Sequence, residues 1–146
     1  MKGTKGFTIV ELMITVLVLS IVLSVGIPAF LNLSERTSVA TTSNELLAGV
    51  LLARSEAVRQ EANVIFTPRA DGWDVDVGLV NLLTHNVDSD YVTVNGNPVT
   101  YNARGRAALA NTDSISVSFD GEVKSRVCLS LTGRPFIRLA EDGVCP

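Results

Sequence analysis

The pattern of hydrophobic and polar positions begins with a long apolar run near the N-terminus. Residues 12–31 are twenty positions without a charged side chain. As an α-helix this run would be about 30 Å long, which is the thickness of the hydrocarbon core of a bilayer. It predicts a membrane-spanning helix. Pro28 lies inside it and should kink or loosen the helix, because proline has no amide hydrogen to donate.

A helical pattern continues beyond the apolar run. No proline occurs over residues 34–62. Apolar side chains recur there at spacings close to 3.6, which is typical of an amphipathic helix that packs on a domain. The stripe consists of Val39, Leu46, Val50, Ala53 and Ala57, with Leu47 and Val58 widening it. The pattern therefore predicts one helix over residues 7–62.

After Asn63 the pattern changes to short alternating runs separated by turns, which predicts antiparallel strands. These runs cover residues 64–67, 73–77, 91–94, 99–102, 115–119, 127–131 and 136–139. Turn sequences separate the first pair at Ala-Asp-Gly, the second pair at Asn-Gly-Asn-Pro, and the third pair at Asp-Gly. A long helix followed by antiparallel strands is an α+β fold. Between residues 78 and 90 no strand is predicted, and His85 is expected to lie in a loop.

Length, charge and cysteine content narrow the class of protein. The chain has 146 residues and a formal net charge of −3, which suits one domain plus one appended element and argues against a globally basic nucleic-acid binder. Cys128 and Cys145 are most simply interpreted as one disulfide in an exported domain. The alternative is two free thiols in a cytosolic protein. Two cysteines alone do not make a zinc site.

Charges around the apolar run predict its orientation and raise the question of Glu11. Lys2 and Lys5 precede the run and the next basic residue is Arg36, so the N-terminus is expected to be cytoplasmic. A secretory signal peptide is disfavoured because the end of the run lacks a good A-x-A cleavage site. A plain membrane anchor fits the length but does not explain a carboxylate among apolar residues.

The segment Lys5-Gly6-Phe7-Thr8-Ile9-Val10-Glu11-Leu12 resembles the leader junction of type IV prepilins and type II secretion pseudopilins. The resemblance implies that a prepilin peptidase cleaves between Gly6 and Phe7 and methylates the new N-terminus at Phe7. Residues 1–6 would then be the leader peptide, residues 7–33 the transmembrane and assembly helix, and residues 34–146 a periplasmic head that includes the second half of the helix. Pilins similar to this chain also carry a proline at the position of Pro28.

Cleavage at this junction would explain Glu11 physically. It creates an ammonium group at Phe7 within an apolar helix bundle, and Glu11 can neutralise that group on its own chain or on a neighbouring subunit. An unpaired buried charge is costly, so the pairing favours subunits that stack in register. Glu11 is therefore interpreted as an assembly residue. The alternative is a carboxylate that reaches the membrane surface.

Three later segments resemble the GspH/FimT branch of minor pilins and pseudopilins: residues 53–59 (Ala-Arg-Ser-Glu-Ala-Val-Arg), 99–106 (Val-Thr-Tyr-Asn-Ala-Arg-Gly-Arg) and 131–134 (Leu-Thr-Gly-Arg). The resemblance implies a type IV pilin-like fold and a structural subunit whose partners are other pilins or pseudopilins, contacted through the N-terminal helix. It would reside in the inner membrane as a single-pass protein before assembly, and in a pilus or pseudopilus afterwards, at or near the tip.

No catalytic motif or cofactor site is found in the sequence. Asp71, Asp74 and Asp76 lack the spacing of a calcium loop and are interpreted as a solvated hairpin. Trp73 is interpreted as a packing residue. The sequence therefore predicts neither an enzyme nor a metal protein.

DNA binding is the principal alternative function. Residues 104–138 carry six Lys or Arg residues against three Asp or Glu residues. Strand alternation would place Lys124, Arg126 and Cys128 on an outer face, with Arg134, Phe136 and Arg138 on the outer face of the next strand.

Some FimT-like minor pilins bind DNA through a Gly-Arg-x-Arg stretch. Here Gly133-Arg134 is followed by an arginine only at Arg138, and Phe136 could stack on bases. A solvated basic edge that limits strand pairing is the competing interpretation. A further alternative is a simple bitopic membrane protein with a periplasmic binding domain.

Overall fold

One long helix is followed by eight strands in the part of the chain that the computed structural model describes, residues 6–108, 114–130 and 132–145. The elements are α1 (Ile9–Arg59), β1 (Val64–Arg69), β2 (Gly72–Val77), β3 (Val80–Asn86), β4 (Val92–Asn95), β5 (Val99–Tyr101), β6 (Ser114–Phe119), β7 (Glu122–Leu129), β8 (Pro135–Leu139) and a 3-10 helix, Ala140–Asp142. The chain divides into two units, Met1–Arg36 and Thr37–Pro146. The predicted leader and its lysines fall almost wholly outside the described residues.

Helix α1 continues through Pro28 and ends where its backbone turns left-handed. Glu61 has a φ of 51°, and the amide of Ala62 donates to the carbonyl of Ala57 at 3.3 Å. A left-handed residue followed by this type of hydrogen bond satisfies carbonyls that the last turn would otherwise leave unpaired. The predicted single helix is therefore confirmed to within three residues at either end.

The second half of α1 buries the predicted stripe. Val39, Leu46, Val50, Ala53 and Ala57 are all buried, which confirms the 3.6-residue periodicity. Val58 is an exception, since its side chain remains half exposed. Three small residues that were not part of the predicted stripe are also buried: Thr42, Ser43 and Gly49. Small side chains are needed here because the strands approach the helix backbone closely.

The strands form two antiparallel sheets among the described residues, in the orders β3-β2-β1-β5 and β4-β6-β7-β8. The hairpins β1–β2 and β6–β7 follow the predicted turns. One hydrophobic cluster joins both sheets to α1. The α+β class is thereby confirmed, with a long N-terminal helix followed by antiparallel sheets.

The two strands that flank Asn-Gly-Asn-Pro do not pair with each other. Strand β4 pairs with β6 and strand β5 pairs with β1, so this connection passes between the two sheets. Pro98 cannot donate a ladder hydrogen bond. Gly96 passes so close to β6 that a Cβ would lie 3.0 Å from the Cα of Ile115. Both features suit a crossing between sheets better than a tight hairpin.

Strand β3 was not predicted, and the expectation that His85 lies in a loop is wrong. This strand is at the edge of its sheet and most of its side chains are exposed. A β-bulge or irregularity between Val75 and Asp76 shifts its register against β2. An exposed edge strand with a shifted register does not show the regular alternation from which strands are recognised.

Candidate assembly and binding sites

Thr8 and Glu11 cap the first turn of α1. The amide of Glu11 donates to Oγ1 of Thr8 at 3.2 Å, and the amide of Thr8 donates to Oε2 of Glu11 at 3.4 Å. This reciprocal pair is a capping box. The Thr-x-x-Glu pattern before an apolar run was the sequence signal for it. Glu11 therefore has a role within the single chain, besides its predicted pairing with the N-terminus.

The apolar half of α1 is not covered by any of the residues that the structure describes. Its large side chains are exposed, from Ile9 at 79% to Phe30 at 70%, and so is Phe7 just before the helix. By length and composition the helix can cross a membrane. Covering one such side chain contributes about 1.5–3 kcal/mol. A strong driving force therefore exists to surround this segment with lipid or with other apolar helices.

Pro28 lies near the C-terminal end of this exposed apolar segment. Proline leaves the carbonyl four residues earlier, that of Ser24, without its usual helical donor. Gly26 is nearby, and a Cβ added there would meet no atom within 4 Å. The helix itself is continuous here, so the predicted kink at Pro28 stays a prediction.

The segments that carried the second resemblance contact one another. Nε of Arg54 donates to the carbonyl of Gly105 at 2.9 Å. Oη of Tyr101 donates to the carbonyl of Gly133 at 2.9 Å, and burial raises the pKa of Tyr101 to about 12, with nearby Arg54 opposing the shift. Gly133 is needed there because a Cβ would lie 2.7 Å from the amide nitrogen of Ala107. These segments therefore hold the helix and the late strands together.

Another part of the helical segment forms a local ion pair. Arg59 donates to Glu56 one turn earlier, and Gln60 donates to the same carboxylate at 2.8 Å. These hydrogen bonds lower the pKa of Glu56 and raise that of Arg59. Both groups are exposed, so the pair stabilises the helix only slightly.

Two of the predicted DNA-binding arginines lie side by side. The register of β7 and β8 pairs Arg126 with Arg138 and Cys128 with Phe136, and opposed residues in adjacent strands share a face. Like charges in this position repel each other. Lys124 lies at a bulge in β7, between Ser125, which is opposite Val117 of β6, and Val123, which is opposite Ser118. Its Nζ forms an ion pair with Oε2 of Glu122 at 2.9 Å.

The C-terminal segment covers this arginine face. Nη1 of Arg126 donates to the carbonyl of Gly143 at 3.3 Å, and Nη2 of Arg138 donates to the carbonyl of Asp142 at 2.6 Å. The disulfide between Cys128 and Cys145 holds the segment in place and confirms the predicted bond. Cys128 is on the predicted face but is fully buried. Arg134 lies outside this arrangement: its side chain is exposed just before β8.

A cleft between α1 and β3 was missed by sequence reasoning. It has a volume of about 240 Å³ and is lined by Glu45, Ala48, Gly49, Leu52, Trp73, Leu83 and His85. The ring of His85 stacks on Trp73 with centroids 4.1 Å apart, and its Nε2 lies 3.4 Å from Oε2 of Glu45.

Trp73 forms the floor of this cleft. Its side chain is buried, as predicted for a packing residue. Its Nε1 has no hydrogen-bond acceptor among the described residues. A Cβ at Gly49 would lie 2.5 Å from this nitrogen, so the helix can approach the indole only with glycine at this position.

Metal-ligating side chains do not converge in the described part of the chain, where no group of three or more His, Cys, Asp or Glu residues could hold an ion. Asp74 and Asp71 each pair with Arg69, at 2.9 Å and 3.1 Å. Asp76 accepts a hydrogen bond from Asn81. The three aspartates are therefore used in side-chain contacts of the β1–β2–β3 region.

Two family models match the chain. The model for type II transport protein GspH matches residues 42–133, which extend from the second half of α1 to the segment before β8. The model for the prokaryotic N-terminal methylation motif matches residues 1–27, which include the predicted cleavage junction and Glu11. The first match covers more than half of the chain.

Two curated relatives, both described as fimbrial protein from Pseudomonas aeruginosa, are 30% identical to the chain over 78 residues. The match covers 53% of this chain and 50% of each relative. The chain thus spans about half of the length of the curated relatives it matches.

The fold is also similar to crystal structures of the type IV minor pilin FimU from Pseudomonas aeruginosa. Two crystal forms match with TM-scores of 0.63 and 0.60 at 20% and 18% identity. The matches cover 78% and 73% of this chain and 96% of FimU. At this identity the similarity shows a shared fold.

Proposed function

Because the chain belongs to the GspH family of type IV minor pilins and type II secretion pseudopilins, we propose that it is a structural subunit cleaved between Gly6 and Phe7 and incorporated into a pilus or pseudopilus, at or near the tip. The family and its fold are structural rather than enzymatic. The observation that carries the proposal is the apolar segment of residues 7–33, which contains the first half of α1 and whose large side chains are exposed from Phe7 to Leu33.

This apolar surface is compatible with two successive environments, a lipid bilayer and a bundle of other apolar helices. Before assembly, residues 7–33 would cross the inner membrane and residues 34–146 would form the periplasmic head. After the prepilin peptidase removes residues 1–6, the same surface would pack against the helices of other pilins or pseudopilins. Both environments remove the side chains from water, so exchanging lipid for neighbouring helices costs little hydrophobic free energy.

Glu11 supplies the charge that would make packing specific. Its carboxylate already accepts a hydrogen bond from the amide of Thr8, which is the main-chain nitrogen next to that of Phe7. An ammonium group created at Phe7 would therefore arise close to this carboxylate or to that of an adjacent subunit. In an apolar setting an unpaired ammonium group costs several kcal/mol, so subunits that complete the pair are favoured.

The experiment that tests this proposal is the intact mass and N-terminal sequence of the protein from its native membrane. We expect a chain that begins at methylated Phe7. A Gly6→Val variant, which changes the residue before the predicted cleavage site, provides the control for specific cleavage. A Cβ at Gly6 would meet no atom within 4 Å, so the fold should be unaffected. A wild-type chain that still begins at Met1, in cells with active prepilin peptidase, would contradict the proposal and favour a plain membrane-anchored domain.

DNA binding is a second candidate, favoured by the adjacent positions of Arg126 and Arg138 and by the proximity of Phe136. Lys124 and Arg134 would extend this basic surface. The two adjacent arginines donate to C-terminal carbonyls, which leaves part of each guanidinium available to a phosphate. In this function the protein would contact DNA during uptake while remaining a pilus subunit.

Salt dependence tests this second candidate on the full chain in detergent micelles. Each phosphate contact contributes a slope of about −0.9 to the logarithm of affinity against the logarithm of salt concentration for duplex DNA. We expect the double variant Arg126→Gln and Arg138→Gln to reduce the slope by about two, while Arg59→Gln, at the end of the helix, leaves it unchanged. Binding that is absent or insensitive to salt would exclude the DNA function.

A further inference from the structure

We propose that the cleft between α1 and β3 binds an arginine side chain presented by a neighbouring subunit. The existence of a neighbouring subunit rests on the proposed function, whereas the binding chemistry rests on the cleft itself. Its lining combines a carboxylate and an imidazole ring, from Glu45 and His85, with apolar side chains. No role in catalysis or in metal binding accounts for this combination.

The size of the cleft selects a single side chain. Pockets for whole small molecules usually have volumes of about 300–1,000 Å³, whereas this one has about 240 Å³. Its walls are apolar over Ala48, Leu52 and Leu83, which suits the aliphatic stem of a long side chain. The cleft therefore matches one inserted residue better than a metabolite.

The shape of the cleft is set by buried aromatic packing. Trp73 is 1% exposed, and its ring contacts the rings of Phe66 and His85. Gly49 keeps the helix in contact with the indole. A wall held in this way is present before the ligand arrives, so binding requires little ordering of the protein.

The charge of the cleft selects a cation. Within the described ranges, His85 is the side chain that forms an ion-pair contact with Glu45, and the Glu45 side chain is 45% exposed. A guanidinium group can bond to this carboxylate in the plane of its fork. It can also stack on the imidazole face turned away from the indole. A lysine ammonium group could form the first contact but not the second.

The edge strand beside the cleft indicates that the arginine comes from a protein. Among the described residues, strand β3 pairs with β2 on one side and ends its sheet on the other. Its free edge can accept the main chain of an extended segment. The neighbouring apolar residues Leu79, Val80 and Leu82 are exposed. A partner segment could therefore lie along β3 while its arginine enters the cleft.

Trp73 provides a direct assay because it is the single tryptophan of the chain. The full-length protein in detergent micelles is titrated with acetyl-Gly-Arg-Gly-amide while Trp73 fluorescence is recorded. A citrulline peptide of the same length is the matched ligand control, since it keeps the shape of arginine without its charge. We expect saturable binding of the arginine peptide with a Kd on the order of 1–10 mM, and at least tenfold weaker binding of the citrulline peptide.

Protein variants locate the binding site. Glu45→Gln should weaken binding of the arginine peptide at least tenfold, and Glu61→Gln, an exposed glutamate just beyond the same helix, should leave it unchanged. Near-ultraviolet circular dichroism of both variants checks that the fold is intact. Equal responses to the two peptides, or wild-type affinity in the Glu45→Gln variant, would overturn the proposal. The titration requires neither leader cleavage nor a filament, so its failure is distinguishable from failure of the proposed function.

Discussion

Glu11 combines a local capping role with a proposed assembly role, and substitutions can separate them. Its carboxylate caps Thr8 in the single chain and would neutralise the ammonium group of Phe7 after cleavage. Glu11→Gln keeps an oxygen acceptor for the capping box but removes the charge. Thr8→Ala removes half of the capping box but keeps the charge. Glu11→Ala removes both functions of the side chain.

The expected magnitudes differ enough to decide between the roles. Loss of an N-cap interaction costs about 1 kcal/mol, while glutamine in place of glutamate costs a capping box little, since both residues occur at that position. Leaving an ammonium group unpaired in an apolar bundle costs about 3–5 kcal/mol. Since 1.4 kcal/mol corresponds to a factor of about ten, Glu11→Gln should reduce incorporation by roughly 100-fold or more. Thr8→Ala should reduce it by tenfold or less.

The assay compares the amount of each variant in purified filaments with the amount of its processed form in the membrane. This ratio corrects for effects on expression and on leader cleavage. We expect Glu11→Gln and Glu11→Ala to be nearly absent from filaments, with Thr8→Ala close to wild type. Incorporation of Glu11→Gln at the wild-type level would refute charge pairing. Equal losses in Thr8→Ala and Glu11→Ala would assign the effect to the capping box instead.

Three further predictions concern the stability of the head and are checked by denaturant unfolding of the full chain. Oγ of Ser43 donates to the carbonyl of Val39 and accepts from Oγ of buried Ser125, so Ser43→Ala should cost about 1–3 kcal/mol by orphaning the second hydroxyl. The double variant with Ser125→Ala should cost less than the sum of the single variants, and strict additivity would contradict a direct bond. Gly49→Ala should destabilise by up to about 2 kcal/mol, because overpacking against Trp73 costs about 1–3 kcal/mol and helix propensity returns about 1 kcal/mol. Gly26→Ala should leave the head unchanged, and a more stable Gly49→Ala variant would show that the indole can move. Burial raises the pKa of Tyr101 to about 12. Above pH 10 the unfolded state therefore loses the Tyr101 proton first, and the free energy of unfolding should fall by about 2–3 kcal/mol by pH 12. Tyr101→Phe should remove that fall, and an unchanged pH profile in the variant would refute the assignment.

Local patterns determined a large part of this structure. The apolar run, the periodic stripe of α1 and the alternation in seven strands each depend on residues that are close together in the chain. They could therefore be recognised from the order of residues. The Thr8–Glu11 capping box belongs to the same class and was available as a Thr-x-x-Glu signal. The pairing of Cys128 with Cys145 followed because the chain has only two cysteines.

Other features were decided by contacts between residues far apart in the chain. The separation of β4 and β5 into different sheets reflects their pairing with β6 and β1, which no local pattern encodes. The cleft requires Glu45, Trp73 and His85 to meet from three elements. The covering of Arg126 and Arg138 depends on where the C-terminal segment returns.

The sequence by itself therefore determined the helix, the family and seven of the eight strands in the described part of the chain, because each depends on side-chain periodicity or on a short motif. Cleavage between Gly6 and Phe7 stays a prediction from the same kind of motif. Only the tertiary structure decided which strands are neighbours, which charged side chains are already engaged and where a partner could bind. Those properties arise from the free energy of long-range packing, in which a residue such as His85 acquires its role from Trp73 and Glu45 rather than from its own neighbours in sequence.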